Sequence, residues 1–94
     1  MPYKTQPGVV LTTVCGESML VATLEARGKC DYVKQLKSTA AYYRTLLEKG
    51  FSLEEMTEMA SVRFGVSRQR IRPGLVSFIN TLILEGYLLV EEEA

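Results

Sequence analysis

A chain of 94 residues makes one domain, with room for a modest core but not for a large cleft between subdomains. Eleven basic and eleven acidic side chains cancel, so no global field gathers polyanions and nucleic acid is not the default partner. With no histidine and only two cysteines, this chain alone supplies neither a structural zinc site nor a histidine-based triad. Apolar runs are short, and no charged segment followed by an apolar one opens the chain. Neither a membrane span nor a secretory signal is therefore expected, and the cytoplasm is the expected compartment.

In chain order, Met1 to Gln6 reads as loose, and Pro7-Gly8 as the turn that opens a first strand, Val9 to Val14, rich in β-branched residues. Gly16 breaks that strand, and Glu17 to Leu24 supplies a second of similar length, which makes a hairpin. Ala26 to Lys29, with Gly28, turns the chain into a third strand, Asp31 to Leu36. Such short connections permit no crossover, so the expected sheet is a three-stranded antiparallel meander with the second strand central and one edge of the third unpaired. Along the third strand Val33 and Gln35 point one way, and Tyr32, Lys34 and Leu36 the other. Cys15 and Cys30 fall at opposite ends of this sheet, roughly 20 Å apart, where a disulfide needs Cα atoms within about 7 Å. Both are expected as free thiols in a reducing compartment.

At Ser38 the two-residue period gives way to helical spacing. Ser38 serves as N-cap, and a first helix from Thr39 to Lys49 ends at Gly50. Ser52 and Glu55 then have the spacing of a capping box, with Phe51 and Met56 closing a hydrophobic staple. The second helix turns Leu53, Met56, Met59, Ala60 and Phe64 inward and stops at Gly65. The third helix begins at Ser67, or restarts at Pro73-Gly74 after one preliminary turn, and runs to Glu85. Gly86 ends it, Tyr87 to Val90 fold back as a short apolar tail, and Glu91 to Glu93 are solvated. The whole is an α+β fold, a three-stranded meander followed by three helices in a winged helix-turn-helix-like order. It forms a single domain over 1–94 with an ordered core of about 8–90.

At ~100° per residue, Ile71, Leu75, Phe78 and Leu82 of the third helix make a stripe that seats it on the sheet and the other helices. Val76, Ile79 and Ile83 make a second stripe beside the first, and Arg68 and Arg72 share its sector. The combined stripe is wider than one buried face needs. The first helix, the tail at Leu88 or a dimer partner would each cover it. Alternatively, it is one wall of a groove whose other wall is the free strand edge, a shape suited to an extended peptide. The edge would then supply backbone hydrogen bonds, Val76, Ile79 and Ile83 would take apolar side chains, and Arg68 and Arg72 would attract carboxylates.

The residues at the strand-to-helix junction, Leu36-Lys37-Ser38-Thr39-Ala40-Ala41, together with Phe78-Ile79, Leu82-Ile83 and Gly86-Tyr87-Leu88 at the chain's end, resemble PqqD-like proteins. These are stand-alone recognition elements that bind leader peptides during the biosynthesis of ribosomally made, modified peptides. The resemblance covers about Val9 to Val90, with Lys37 where asparagine is usual and Arg44 where an aromatic residue is common. It implies a leader that adds as a strand to the third strand and lies against the third helix, touching Tyr32, Val33, Lys34 and Gln35 on the strand and Arg68, Arg72, Val76, Ile79 and Ile83 on the helix. It further implies a separate modifying enzyme as partner. The same open edge would also suit a second copy of the chain.

Two other classes compete. Arg63, Arg68, Arg70 and Arg72 cluster about a sharp helix-to-helix turn, as in a DNA-binding winged helix-turn-helix regulator. Zero net charge, acidic Glu54, Glu55 and Glu58 on the adjoining helix, and strands placed before the helices oppose that reading. For an enzyme, Glu17, Glu25, Asp31 and Glu48 show no paired spacing, Gly65 and Gly74 belong to no phosphate loop, and the cysteines have no histidine to activate them. No catalytic residue, metal or cofactor is therefore expected.

Overall fold

The computed structural model describes residues 3–26 and 28–90. Its elements are β1 (Tyr3–Thr5), β2 (Val9–Val14), β3 (Glu17–Ala22), a 3₁₀ turn (Leu24–Ala26), β4 (Val33–Leu36), α1 (Ser38–Glu48), α2 (Leu53–Phe64), α3 (Arg68–Leu84) and β5 (Leu88–Val90). β2, β3 and β4 form the expected antiparallel meander, with β3 central. The β2–β3 hairpin turns on Cys15 and Gly16, both at positive φ (52° and 79°), the two-residue geometry that follows the natural twist of the strands. β3 stops at Ala22, two residues before the expected end, and Leu24 lies exposed on the 3₁₀ turn. Both cysteines are free.

One expectation at the ends of the chain needs correcting. Tyr3–Thr5 is a strand rather than a loose end, and it pairs antiparallel with β5, Thr5 opposite Leu88 and Tyr3 opposite Val90. The tail therefore folds back onto the N-terminus and forms a second, two-stranded sheet. Three residues are too few to show a period, and so the strand could not be read from composition. Glu91 to Glu93 lie outside the described residues.

Helix boundaries follow local chemistry with some differences. Ser52 and Glu55 exchange both bonds of the capping box, at 3.2 and 3.0 Å, and Gly65 closes α2 in the left-handed region. Ser38, expected as a cap, is instead the first residue of α1, and Lys37 occupies the cap position without a side-chain bond. Ser67 caps α3 by position only. α3 is continuous through Pro73. The proline's missing N–H spares only the Gln69 carbonyl in the exposed first turn, where water can take its place.

The core lies between the helical face of the meander and the three helices, built from Leu20, Leu36, Leu46, Leu47, Met56, Leu75, Ile79, Leu82, Tyr87 and Leu88. Each such side chain, fully buried, contributes roughly 1.5–3 kcal/mol. Arg44 is 1% exposed within α1. Its guanidinium donates to the Val9 carbonyl and to Glu48, and its Nε has no partner. Burial lowers its pKa, and Glu48 opposes the shift. The charge thus ties α1 to the start of β2 at the place where a hydrophobe would otherwise pack.

Candidate functional site

β4 is paired on one side only. No strand among the described residues adjoins its outer edge, because the tail pairs with β1 instead. The hydrogen-bond phase of this edge follows from one contact, the Ala22 N–H donating to the Tyr32 carbonyl at 2.8 Å, combined with the register that sets Val21 opposite Val33. Antiparallel alternation then turns the N–H and C=O of Lys34 and Leu36 toward β3, and those of Val33 and Gln35 outward. Side chains alternate as the sequence implies. Val33 (49% exposed) and Gln35 lie on the outer face, while Lys34 is half-buried and Leu36 buried on the helical face.

Beside this edge runs a groove of about 420 Å³. Lys34 to Lys37 form its strand wall, Thr39, Ala40 and Tyr43 of α1 its floor, and Gly74, Phe78 and Thr81 of α3 its far wall. Spacings of four and three place the last three residues on one side of α3. The Tyr43 ring packs against Phe78 with centroids 6.0 Å apart and edge-on to Phe64 at 6.5 Å, so the aromatic floor is braced from behind. Burial, with a smaller contribution from Tyr42, raises the pKa of the Tyr43 hydroxyl. A second hollow of about 450 Å³, lined by Gly16, Glu17 and Ser18, joins the groove at Gln35, Leu36 and Lys37, beside the start of α1.

One end of the groove is closed. Lys34 Nζ meets Glu85 Oε1 at 2.7 Å across it. Beyond that pair the Tyr87 hydroxyl donates to the Asp31 carbonyl at 2.9 Å, and a Cβ on Gly86 would run into the Lys29 carbonyl. The end of α3 is therefore pressed against the start of β4, and only glycine fits the turn that does it. Burial pushes the Tyr87 hydroxyl up to about 12, helped by the charges of Cys30, Asp31 and Glu85. The far end, at Gly74 and Ala40, is walled by small residues.

The sequence-derived site residues divide into two groups. Tyr32, Val33, Lys34 and Gln35 lie along the edge. The α3 set does not line the groove, which corrects the expected wall. Ile79 is 2% exposed and part of the core; Val76 and Ile83 are half-buried, Ile83 packing on the core. Arg72 bonds Glu54 at 2.9 Å and Arg68 pairs with Glu58, so both are engaged with α2. The reason is a rotation. The buried positions, Ile71, Leu75, Ile79 and Leu82, centre about 30° round the helix from the seat stripe expected from sequence, at ~100° per residue. That rotation draws Ile79 inward and swings Phe78 to the side facing β4. The side with surplus apolar area faces α2, and the groove lies along the other. Gly74 and Thr81 were missed because glycine and threonine make that side of the wheel look solvated, and Ala40 and Tyr43 because they lie on α1, whose facing toward β4 is set by tertiary packing.

Arg63 stacks over the Tyr42 ring at 4.6 Å. Among the described residues there is no cluster of three or more metal-ligating side chains, and no helix is long and apolar enough to cross a membrane.

No protein-family model matches the sequence, and a search of curated proteins finds no relative. Solved structures do match it in shape. TbiB1 in complex with the TbiA(beta) leader peptide superposes with a TM-score of 0.77 at 20% identity, covering 96% of this chain and 99% of that one. A lasso peptide synthetase B1 complexed with the leader peptide gives 0.76 at 17% identity, covering 94% and 98%. The chain has their fold.

Proposed function

We propose that this chain is a PqqD-like recognition element, a non-catalytic module that captures the leader segment of a ribosomal precursor peptide as an added strand and presents it to a separate modifying enzyme. The observation that carries this reading is the outward-facing backbone of Val33 and Gln35 beside the groove walled by Phe78 and Tyr43. An antiparallel or parallel strand laid there gains up to four backbone bonds, each worth a net ~1 kcal/mol. Its alternate side chains would enter the groove toward Leu36 and Phe78. After ordering costs, roughly micromolar affinity follows. The leader peptides named with both structural neighbours and the junction residues Leu36 to Ala41 support the same reading.

The work of such a module is positional. Holding the leader converts each encounter between enzyme and core segment into a nearly intramolecular one, with effective concentrations that can approach millimolar. Duplex DNA fits less well. Two of the four arginines on which that alternative rests are paired to α2 carboxylates and a third stacks on Tyr42, so their charge is largely spent within the fold.

Calorimetric titration with synthetic N-terminal segments of the short peptides encoded beside this gene tests the reading. One segment should bind at roughly micromolar Kd, and Val33→Pro, which removes an outward N–H and leaves the β3–β4 ladder whole, should weaken it at least tenfold. Unchanged affinity in a folded Val33→Pro protein would refute strand addition.

A further inference from the structure

The groove is open at one end and crossed at the other by an ion pair, and this asymmetry bears on how a strand would be positioned in it. Lys34 lines the groove and its ammonium reaches Glu85, the residue that caps the end of α3 one turn beyond Thr81, the last groove residue of the helix. A strand lying against Val33 and Gln35 places one groove-side residue beside Lys34 and another, two positions away, beside Leu36. The first meets a polar bar already neutralised by its own partner, and the second meets the open apolar space before Phe78 and Tyr43. Past the bar, Tyr87 on Asp31 and Gly86 against Lys29 leave no width for a third.

We propose that the Lys34–Glu85 pair is a register stop: two positioning residues that hold the end of α3 against β4 and fix which residue of a bound strand lies beside Val33. This rests on the strand-addition reading above. Because the pair is self-neutralising, it selects position rather than charge. The stop acts on a strand that ends or turns away at the residue beside Lys34: shifted two residues toward the closed end, that residue would have to pass between ammonium and carboxylate. Opening the pair removes that barrier, so several registers become accessible and the bound state becomes mixed.

The experiment measures two things on the tightest-binding synthetic segment from the titration: its Kd, and the pattern of hydrogen-exchange protection along the peptide's own amides. Wild type should protect alternate peptide amides in one pattern. Lys34→Met and Glu85→Gln should each weaken binding only about twofold to fivefold, as expected for a partly exposed pair. Each should also blur the pattern so that adjacent amides share protection. The charge-reversed double variant, Lys34→Glu with Glu85→Lys, should restore the single pattern and bring Kd back to within about twofold of wild type, which a carboxylate on the peptide bonded directly to Lys34 would not allow. A single sharp pattern retained in both single variants overturns the stop and leaves strand addition standing. No protected alternation in wild type, or no binding by any segment, overturns strand addition and the stop with it.

Discussion

The two flanks of α3 differ in apolar content, and the richer one is not the one left open. On one, Val76 and Ile83 lie half-buried, and Arg72 and Arg68 tie the helix to Glu54 and Glu58 of α2. On the other, Gly74, Phe78 and Thr81 face β4 across open space, bridged only at the Lys34–Glu85 end. Apolar content therefore does not identify a binding surface. What distinguishes the second flank is that the element opposite it is an edge strand, whose unpaired backbone must be satisfied by solvent or by a ligand. The small residue Gly74 helps as well, since it keeps the wall from closing on the strand.

Substitutions along α3 can break or sharpen this contrast. The largest effect is expected at Ile79, which sequence periodicity places on a peptide-facing shoulder and the structure places in the core. Ile79→Ala should cost roughly 2–4 kcal/mol in urea unfolding, and a loss below about 1 kcal/mol would return Ile79 to the surface. Phe78→Ala comes next. Since Phe78 is only half-buried, stability should fall by about 1–2 kcal/mol while peptide Kd in calorimetry rises roughly tenfold. Smallest is Arg72→Glu, which loses an exposed pair worth about 0.5 kcal/mol and should leave peptide Kd within twofold of wild type. A tenfold weakening there, steepest at low salt, would move the site to the α2 side of the helix.

Much of this arrangement is legible in the sequence. The meander, the edge position of the third strand and the alternation of Val33 and Gln35 against Lys34 and Leu36 follow from turn residues and a two-residue period, which are local properties. The Ser52–Glu55 cap was legible for the same reason. The helical wall of the groove was not, because periodicity fixes which residues share a stripe but not how the stripe is rotated against its neighbours. A shift of about 30° exchanges Ile79 for Phe78, and only the packing of α3 between the sheet and α2 sets that angle. Tertiary pairing likewise decides the fate of Tyr3–Thr5, a strand only because β5 returns to meet it, and of Lys34 and Glu85, residues 51 positions apart in sequence. Arg44 is a further case: nothing in its neighbours along the chain signals that it is buried.

The most direct test of the account is amide hydrogen exchange of the protein itself with and without a bound peptide segment. In the free protein the Lys34 and Leu36 amides should already be slow, held by β3, and those of Val33 and Gln35 fast. Saturation with peptide should slow Val33 and Gln35 by at least tenfold and leave the other two near their starting rates. If a peptide binds while Val33 and Gln35 exchange as quickly as before, the β4 edge is not where it lies.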